Sequence, residues 1–188
     1  MPALPADKAA RSAAIARRAA DLIEGGCLIL DFETTGFPSN PTTGIVEIAL
    51  IDHRGTPLLH TLIHPGCHIP KGATAVHGIT DADVRDAPTF RDIYPKFATL
   101  LGEQRVVAYN YTFERAMIAL ACQQHALTPP LVEWSCAMRA YAVYRGLRAF
   151  ASLGKACAQE GITVENAHRA LGDCRMTLAL LYTMAAMV

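Results

Sequence analysis

The sequence predicts an α/β domain, a mixed sheet with helices on its faces, and three observations carry that prediction. Strand-like runs come early and close together. They are "CLILDFE", "IVEIALID" and "TPLLHTLIHP", joined by the turn-rich "PSNPTTG" and by His53, Arg54 and Gly55, which suits an antiparallel meander. Further on, a strand pattern in "RVVAYN" alternates with helical segments, as a sheet flanked by helices requires. Finally, Cys27, Leu28, Ile29 and Leu30 are apolar at consecutive positions, the pattern of a strand covered on both faces, so the first strand belongs at the centre of the sheet.

The elements follow in order. "ADKAARSAAIARRAADLIEGG" has the Ala- and Arg-rich look of a transit peptide, but Asp7, Asp21 and Glu24 interrupt it. Ile15, Leu22 and Ile23 give it a sparse apolar stripe that stops at Gly25-Gly26, a helix C-terminal signal. Residues 1–26 therefore read as a helical extension packed beside the first strand, ahead of a domain over 27–188. After the meander, a Pro- and Gly-punctuated segment runs from Pro65 to Pro88. Helices are expected over 89–101, 112–125, roughly 134–145, 151–160 and from about 171 to the C-terminus, with "RVVAYN" as the fourth strand.

The 188 residues suit one domain with a proper core, and 52% hydrophobic against 18% charged residues excludes a disordered chain. Seventeen basic and 17 acidic residues give a formal net charge of zero, so no global field holds a long polyanion. Any nucleic acid must be gripped locally, over a few nucleotides. The six cysteines are far apart, form no C-x-x-C pair and mostly sit in apolar runs, the usage of a reduced compartment. No membrane span and no signal peptide are read, and the expectation is a soluble cytoplasmic protein.

The chemistry-bearing residues begin in "LDFETTG". Side chains two apart on a strand share a face, so Asp31 and Glu33 project together from Cα atoms roughly 6 to 7 Å apart. Two anions at the rim of a core suit metal binding or acid–base work as well as simple solvation. Glu114 follows Asn110 in the first turn of a helix, where an Asn cap and an acid near the positive helix end already give a structural reason for both. His168 precedes Asp173 by five residues, roughly 140° apart on a regular helix, which places His168 on a loop or at the helix start. His60, His64, Cys67 and His68 resemble a zinc set, but the first pair falls in a strand and Pro65-Gly66 breaks the rest, so strand-end surface histidines are the better account. Trp134, Tyr141 and Tyr144 at helical spacings read as packing. Their neighbours Arg139, Arg145 and Arg148 form a local basic cluster able to meet phosphate.

Taken in order, D-x-E on a strand, "VHGIT" over Val76–Thr80, N-x-x-F-E and H-x-x-x-x-D, the set resembles the DEDDh-type 3′-to-5′ exonucleases, the group of the DNA polymerase III epsilon subunit and ribonuclease T. The similarity covers roughly residues 27–183. Asp31 and Glu33 match with the following Thr34, Thr35 and Gly36; Asn110 and Phe113 match; His168 and Asp173 match closely in "HRALGD". Two positions depart: Glu114 stands where the family has aspartate, and Tyr109 where it often has histidine.

The resemblance implies a ribonuclease H-like fold, with a five-stranded mixed sheet flanked by helices. It implies two divalent cations, Mg²⁺ or Mn²⁺, held by Asp31, Glu33, Glu114 and Asp173, with His168 as general base. It also implies Thr34, Thr35, Gly36, His77, Asn110 and Phe113 as contacts to the 3′ end of a nucleic acid, single-stranded by preference and DNA rather than RNA. A polymerase is implied as a partner; the oligomeric state is open. Two alternatives stay open as well: an RNA-directed exoribonuclease of the same fold, and a catalytically weak domain that binds nucleic acid or a polymerase.

Overall fold

The structure is a computed structural model and describes residues 5–163 and 167–186. Helix α1 (Pro5–Glu24) leads through Gly25-Gly26 into the meander β1 (Leu28–Thr34), β2 (Ile45–Asp52) and β3 (Pro57–Leu62). Helices α2 (Lys71–His77), α3 (Asp81–Val84) and α4 (Phe90–Leu101) follow, then β4 (Arg105–Ala108), α5 (Tyr111–His125), β5 (Glu133–Cys136), α6 (Ala137–Arg145), α7 (Leu153–Gln159) and α8 (Ala170–Ala185). The five strands lie in the order β3-β2-β1-β4-β5. The meander is antiparallel, while β4 runs parallel to both β1 and β5. The mixed sheet flanked by helices is as expected, with β1 in the middle.

Alternation along β1 divides the core. Leu28, Leu30 and Phe32 pack with Phe97, Met117 and Ile118 of α4 and α5. Cys27 and Ile29 pack on the opposite face with Ala19, Tyr141 and Leu181 of α1, α6 and α8. Helix α1 lies against α8 and α6, so the expected N-terminal helix is a packed element. Four of the six cysteines are buried and all are free thiols, consistent with their use as small apolar residues. Among the described residues no helix is long and apolar enough to cross a membrane.

Two elements differ from expectation. The helix expected over roughly 134–145 begins only at Ala137, because Glu133–Cys136 pairs in register with Arg105–Ala108 as the fifth strand. Its helical spacing continues smoothly into α6, so pairing with β4 rather than local pattern decides the boundary. Within the punctuated segment 65–88, two short helices form. The second is capped by Thr80, whose side chain and backbone are both held by the Asp83 carboxylate.

The β1–β2 ladder carries one bulge. Glu33 pairs with Glu47 and Thr34 with Ile45, leaving Val46 extra on β2. Beyond it the Thr35 hydroxyl accepts from Gly44 N–H, and Thr35 N–H donates to the Gly44 carbonyl. Gly44 passes so close to Pro65 that a Cβ there would lie 2.4 Å from the Pro65 carbonyl oxygen, so only glycine fits. The bulge bends β2 opposite the end of β1 that carries the two acids.

Candidate active site

Asp31 and Glu33 continue the Ile29 face of β1 and so point toward α8, which packs across β1 and β2. Asp173 sits in the first turn of α8, and the carboxylate oxygens of Asp31, Glu33 and Asp173 all come within 4.8 Å of one another. Among the described residues this is the one group of three or more His, Cys, Asp or Glu side chains placed to hold a metal ion. Parallel register sets the last residue of β4, Ala108, beside Leu30, so α5 begins next to Asp31. Glu114 in its first turn is buried, and one of its oxygens, Oε2, has no hydrogen-bond partner.

This arrangement is electrostatically uncompensated. Burial holds the Asp31 carboxyl well above the usual carboxylate range, reinforced by Glu114, Asp173, Glu33 and Glu47. Burial, then Asp173 and Glu47, push Glu33 up to about 8. Burial alone raises Glu114 to about 8. Asp173 is raised by burial too, although the His168 N–H and the nearby imidazole oppose the rise. Such a set takes up either protons or cations. The carboxylates of Asp31, Glu33 and Asp173 and a buried orphan oxygen on Glu114 are oxygen donors that fit hard divalent ions such as Mg²⁺ or Mn²⁺.

His168 lies on the loop before α8 with a left-handed backbone, φ 60°, and an exposed ring. Its backbone N–H donates to Asp173 Oδ1 at 3.1 Å, which ties the loop to the acid cluster. The loop placement agrees with the helical-angle argument.

The expected substrate contacts are arranged unequally. Thr34 Oγ1 donates to the Gly36 carbonyl and Thr35 is engaged with Gly44, so both hydroxyls shape the turn that follows β1. His77 is buried. Its Nδ1 accepts from Ile79 N–H, which leaves the proton on Nε2, a donor without a partner. Asn110 is the N-terminal cap of α5 by position only: its side chain makes no cap hydrogen bond and instead accepts from the Thr112 hydroxyl at 2.7 Å. Phe113 is half-buried on the core beneath α5. The histidines weighed as a zinc set are separated: His60 bonds Glu47, and His68 bonds Asp81.

Sequence reasoning missed Glu47 and Arg169. Glu47, opposite Glu33 on β2 and 1% exposed, accepts from Arg169 Nε at 3.0 Å and Nη2 at 2.8 Å, from Ala170 N–H at 3.0 Å and shares a 3.0 Å hydrogen bond with His60. Burial would raise its pKa, but these partners outweigh burial and lower it. The pair pins the first residues of α8, and with them Asp173, to the sheet. The available signal was the lone acid inside the apolar run "IVEIALID".

The family model for the RNase_T exonucleases matches residues 28–181. The chain belongs to this exonuclease family. It is 41% identical over 187 residues to the uncharacterized exonuclease CP81 of Escherichia phage 186, covering 93% of this chain and 95% of that one. It is 27% identical over 164 residues to the DNA polymerase III subunit epsilon of Aquifex aeolicus, covering 84% of this chain and 79% of that protein. Among solved structures, Exonuclease X in complex with 5′-overhanging duplex DNA superposes with a TM-score of 0.67 at 30% identity, covering 86% of this chain and 92% of that one. The ribonuclease H-like architecture and the exonuclease class expected from the motif order are thereby upheld.

Proposed function

We propose that the chain is a metal-dependent 3′-to-5′ exonuclease that releases nucleoside 5′-monophosphates from a single-stranded 3′ end, with DNA as the preferred polymer. The observation that carries this reading is the uncompensated carboxylate cluster: three ligand-bearing side chains within 4.8 Å and a fourth buried with an orphan oxygen. Asp31, Glu33 and Asp173 would hold one cation, and Asp31 with Glu114 a second. Two such ions supply Lewis-acid activation of the attacking water and of the leaving oxygen.

The chain's own residues do the rest. His168 accepts the water's proton on its exposed imidazole, and the 3.1 Å bond from its backbone to Asp173 keeps that imidazole beside the acids. The bulged turn holding Thr34, Thr35 and Gly36 forms one wall for the terminal nucleotide. The unpaired His77 Nε2–H supplies a donor for its hydroxyl or phosphate oxygens. Phe113 and Asn110, at the start of α5, face the same nucleotide. Phe37, 75% exposed just past Gly36, adds an aromatic face for a base. Preference for DNA is supported by the likeness to an exonuclease solved with DNA, and a polymerase as partner by the likeness to an epsilon subunit.

The test is digestion of single-stranded DNA, double-stranded DNA and short RNA labelled at the 5′ end, with Mg²⁺ or Mn²⁺ and with EDTA. The expected result is a ladder shortening from the 3′ end, metal-dependent and strongest on single-stranded DNA. Undiminished activity in EDTA, or immediate release of the 5′ label as a mononucleotide, defeats the reading. A stronger ladder on RNA moves the substrate assignment to RNA and leaves the chemistry standing.

A further inference from the structure

A groove of about 630 Å³ separates α1 from α6 and the loop that follows it. Lys8, Arg11 and Arg139 line it together with Val143, Gly146 and Phe150, and none of the described residues lining it is acidic. In a chain of zero net charge, that is a local gathering of cations around an apolar floor. Phe150 and Val143 are exposed, 59% and 43%, so the floor carries an accessible aromatic and an aliphatic side chain.

Two chains of contacts lead from the groove toward the elements that carry the acids. Arg139 lies over the ring of Tyr111, 5.7 Å from its centroid, and Tyr111 itself stacks on Trp134. Tyr111 opens α5 three residues before Glu114, so the two share a flank of the helix. On the other side, the Tyr109 hydroxyl donates to the Ala151 carbonyl at 2.6 Å, fixing the Phe150 loop to the residue before Asn110. Topology agrees: β5 runs parallel to β4 and β4 to β1, so α6 starts at the end of the sheet where β1 finishes, and Lys8 lies against Gly146 at the close of that helix.

We propose that this groove is a binding track for the sugar–phosphate backbone of single-stranded nucleic acid, holding the nucleotides 5′ to the one being removed. The proposal rests on the exonuclease reading for its direction and on charge complementarity for its occupant. Lys8 and Arg139 meet phosphates, and Phe150 stacks on a base, the combination by which single strands are held without sequence preference. Tyr111 under Arg139 fixes the guanidinium at the junction between track and site. A track of this kind explains how a neutral protein grips a polyanion: the cations are placed along one path.

The experiment measures binding, so it does not depend on turnover. Fluorescence anisotropy is recorded in an Asp31→Ala background with labelled oligothymidylates of about 3 and about 12 nucleotides, across a range of salt. The parent should bind the longer strand more tightly. The Lys8→Glu/Arg139→Glu pair should weaken the longer strand about tenfold or more, leave the shorter within about twofold, and reduce the slope of log affinity against log salt by about 1.4, the share of two phosphate contacts on a single strand. Phe150→Ala should cost roughly fivefold on the longer strand with the slope unchanged, since stacking releases no counterions. All of these side chains are exposed, so an unchanged melting temperature verifies each fold. Equal affinity of the parent for both lengths, or a double variant that keeps its affinity and slope, overturns the track. Displacement of the long strand by an equal concentration of poly-glutamate peptide also overturns it, in favour of an acidic protein partner. If the wild-type chain shortens no nucleic acid, the exonuclease reading fails by itself while the isotherms still judge the groove.

Discussion

Glu33 and Glu47 are partners across the β1–β2 ladder, both glutamates and both buried, yet they have opposite electrostatic fates. Glu47 is enclosed by Arg169, Ala170 N–H and His60, and its pKa is lowered in spite of burial. Glu33 faces Asp31 and Asp173, and its pKa is pushed up to about 8. One neighbour is a finished structural joint and the other a buried acid without a cationic partner in hydrogen-bond contact. Burial does not distinguish them; the inventory of donors around each does.

The comparison can be broken most sharply at Asp31. Asp31→Ala should cut nuclease activity by roughly 10⁴-fold or more, the scale for loss of a central catalytic group. In EDTA its melting temperature should hold or rise, because one member of a repelling set has gone. A variant that kept its activity would remove Asp31 from the centre of the site.

On the compensated side the loss should appear as stability. Arg169→Ala leaves the buried Glu47 carboxylate without its guanidinium and breaks the joint, and should destabilise by about 3–5 kcal/mol, read as a shift in denaturant midpoint at constant slope. A change below about 1 kcal/mol would show that the pair contributes little beyond its geometry.

His168→Ala should lose roughly 10²-fold in turnover with the fold intact, the scale for removal of a general base. A variant within a few-fold of wild type would assign the proton to another acceptor.

Glu114 tests how closely the uncompensated side is fitted. Its carboxylate reaches roughly 1 Å farther than an aspartate from the same backbone position, and Mg²⁺ demands ligands at about 2.0 to 2.1 Å. Glu114→Gln should lose much of the activity, and Glu114→Asp should be impaired several-fold. If Glu114→Asp instead raised the Mg²⁺-supported rate, glutamate would be the misfitted ligand.

The smallest effect expected is in the pH dependence of the metal-free protein. Glu33 and Glu114 are raised from 4.5 to about 8, so the stability they contribute is complete below the unfolded value and is lost as pH climbs through about 8. Glu47, lowered, has the reverse sign: its contribution is present above 4.5 and is lost as pH falls through its folded value. In EDTA the melting temperature should therefore drop by about 5 °C or more between about pH 5 and pH 8.5, and added Mn²⁺ should flatten that drop. A melting temperature that rises over the interval would reverse the assigned sign.

How much of this was legible in the sequence depended on distance along the chain. Asp31 and Glu33 could be paired because strand alternation is local, and His168 could be separated from Asp173 because helix angles are local. The Glu47–Arg169 joint spans 122 residues, and nothing in either segment names the other. β5 is hidden for a related reason: four residues that continue the helical spacing of α6 become strand only because β4 lies beside them. The burial of Glu114 was likewise invisible, since a first-turn acid looks the same whether it faces water or the end of a sheet.

The reach from Asp31 to Asp173 also fixes when the acid cluster can assemble during synthesis. The meander that carries Asp31, Glu33 and Glu47 is complete by Leu62, but Asp173 and its anchor Arg169 belong to the last helix of the fold. A chain emerging from its N-terminus can pair its first three strands long before α8 exists, and docking α8 on them closes a long loop at an entropic cost. Assembly of the acid cluster therefore waits for α8, however early the meander forms. A ribosome-bound fragment that stops short of Asp173 carries the meander and its acids Asp31 and Glu33 without the carboxylate that α8 brings to them.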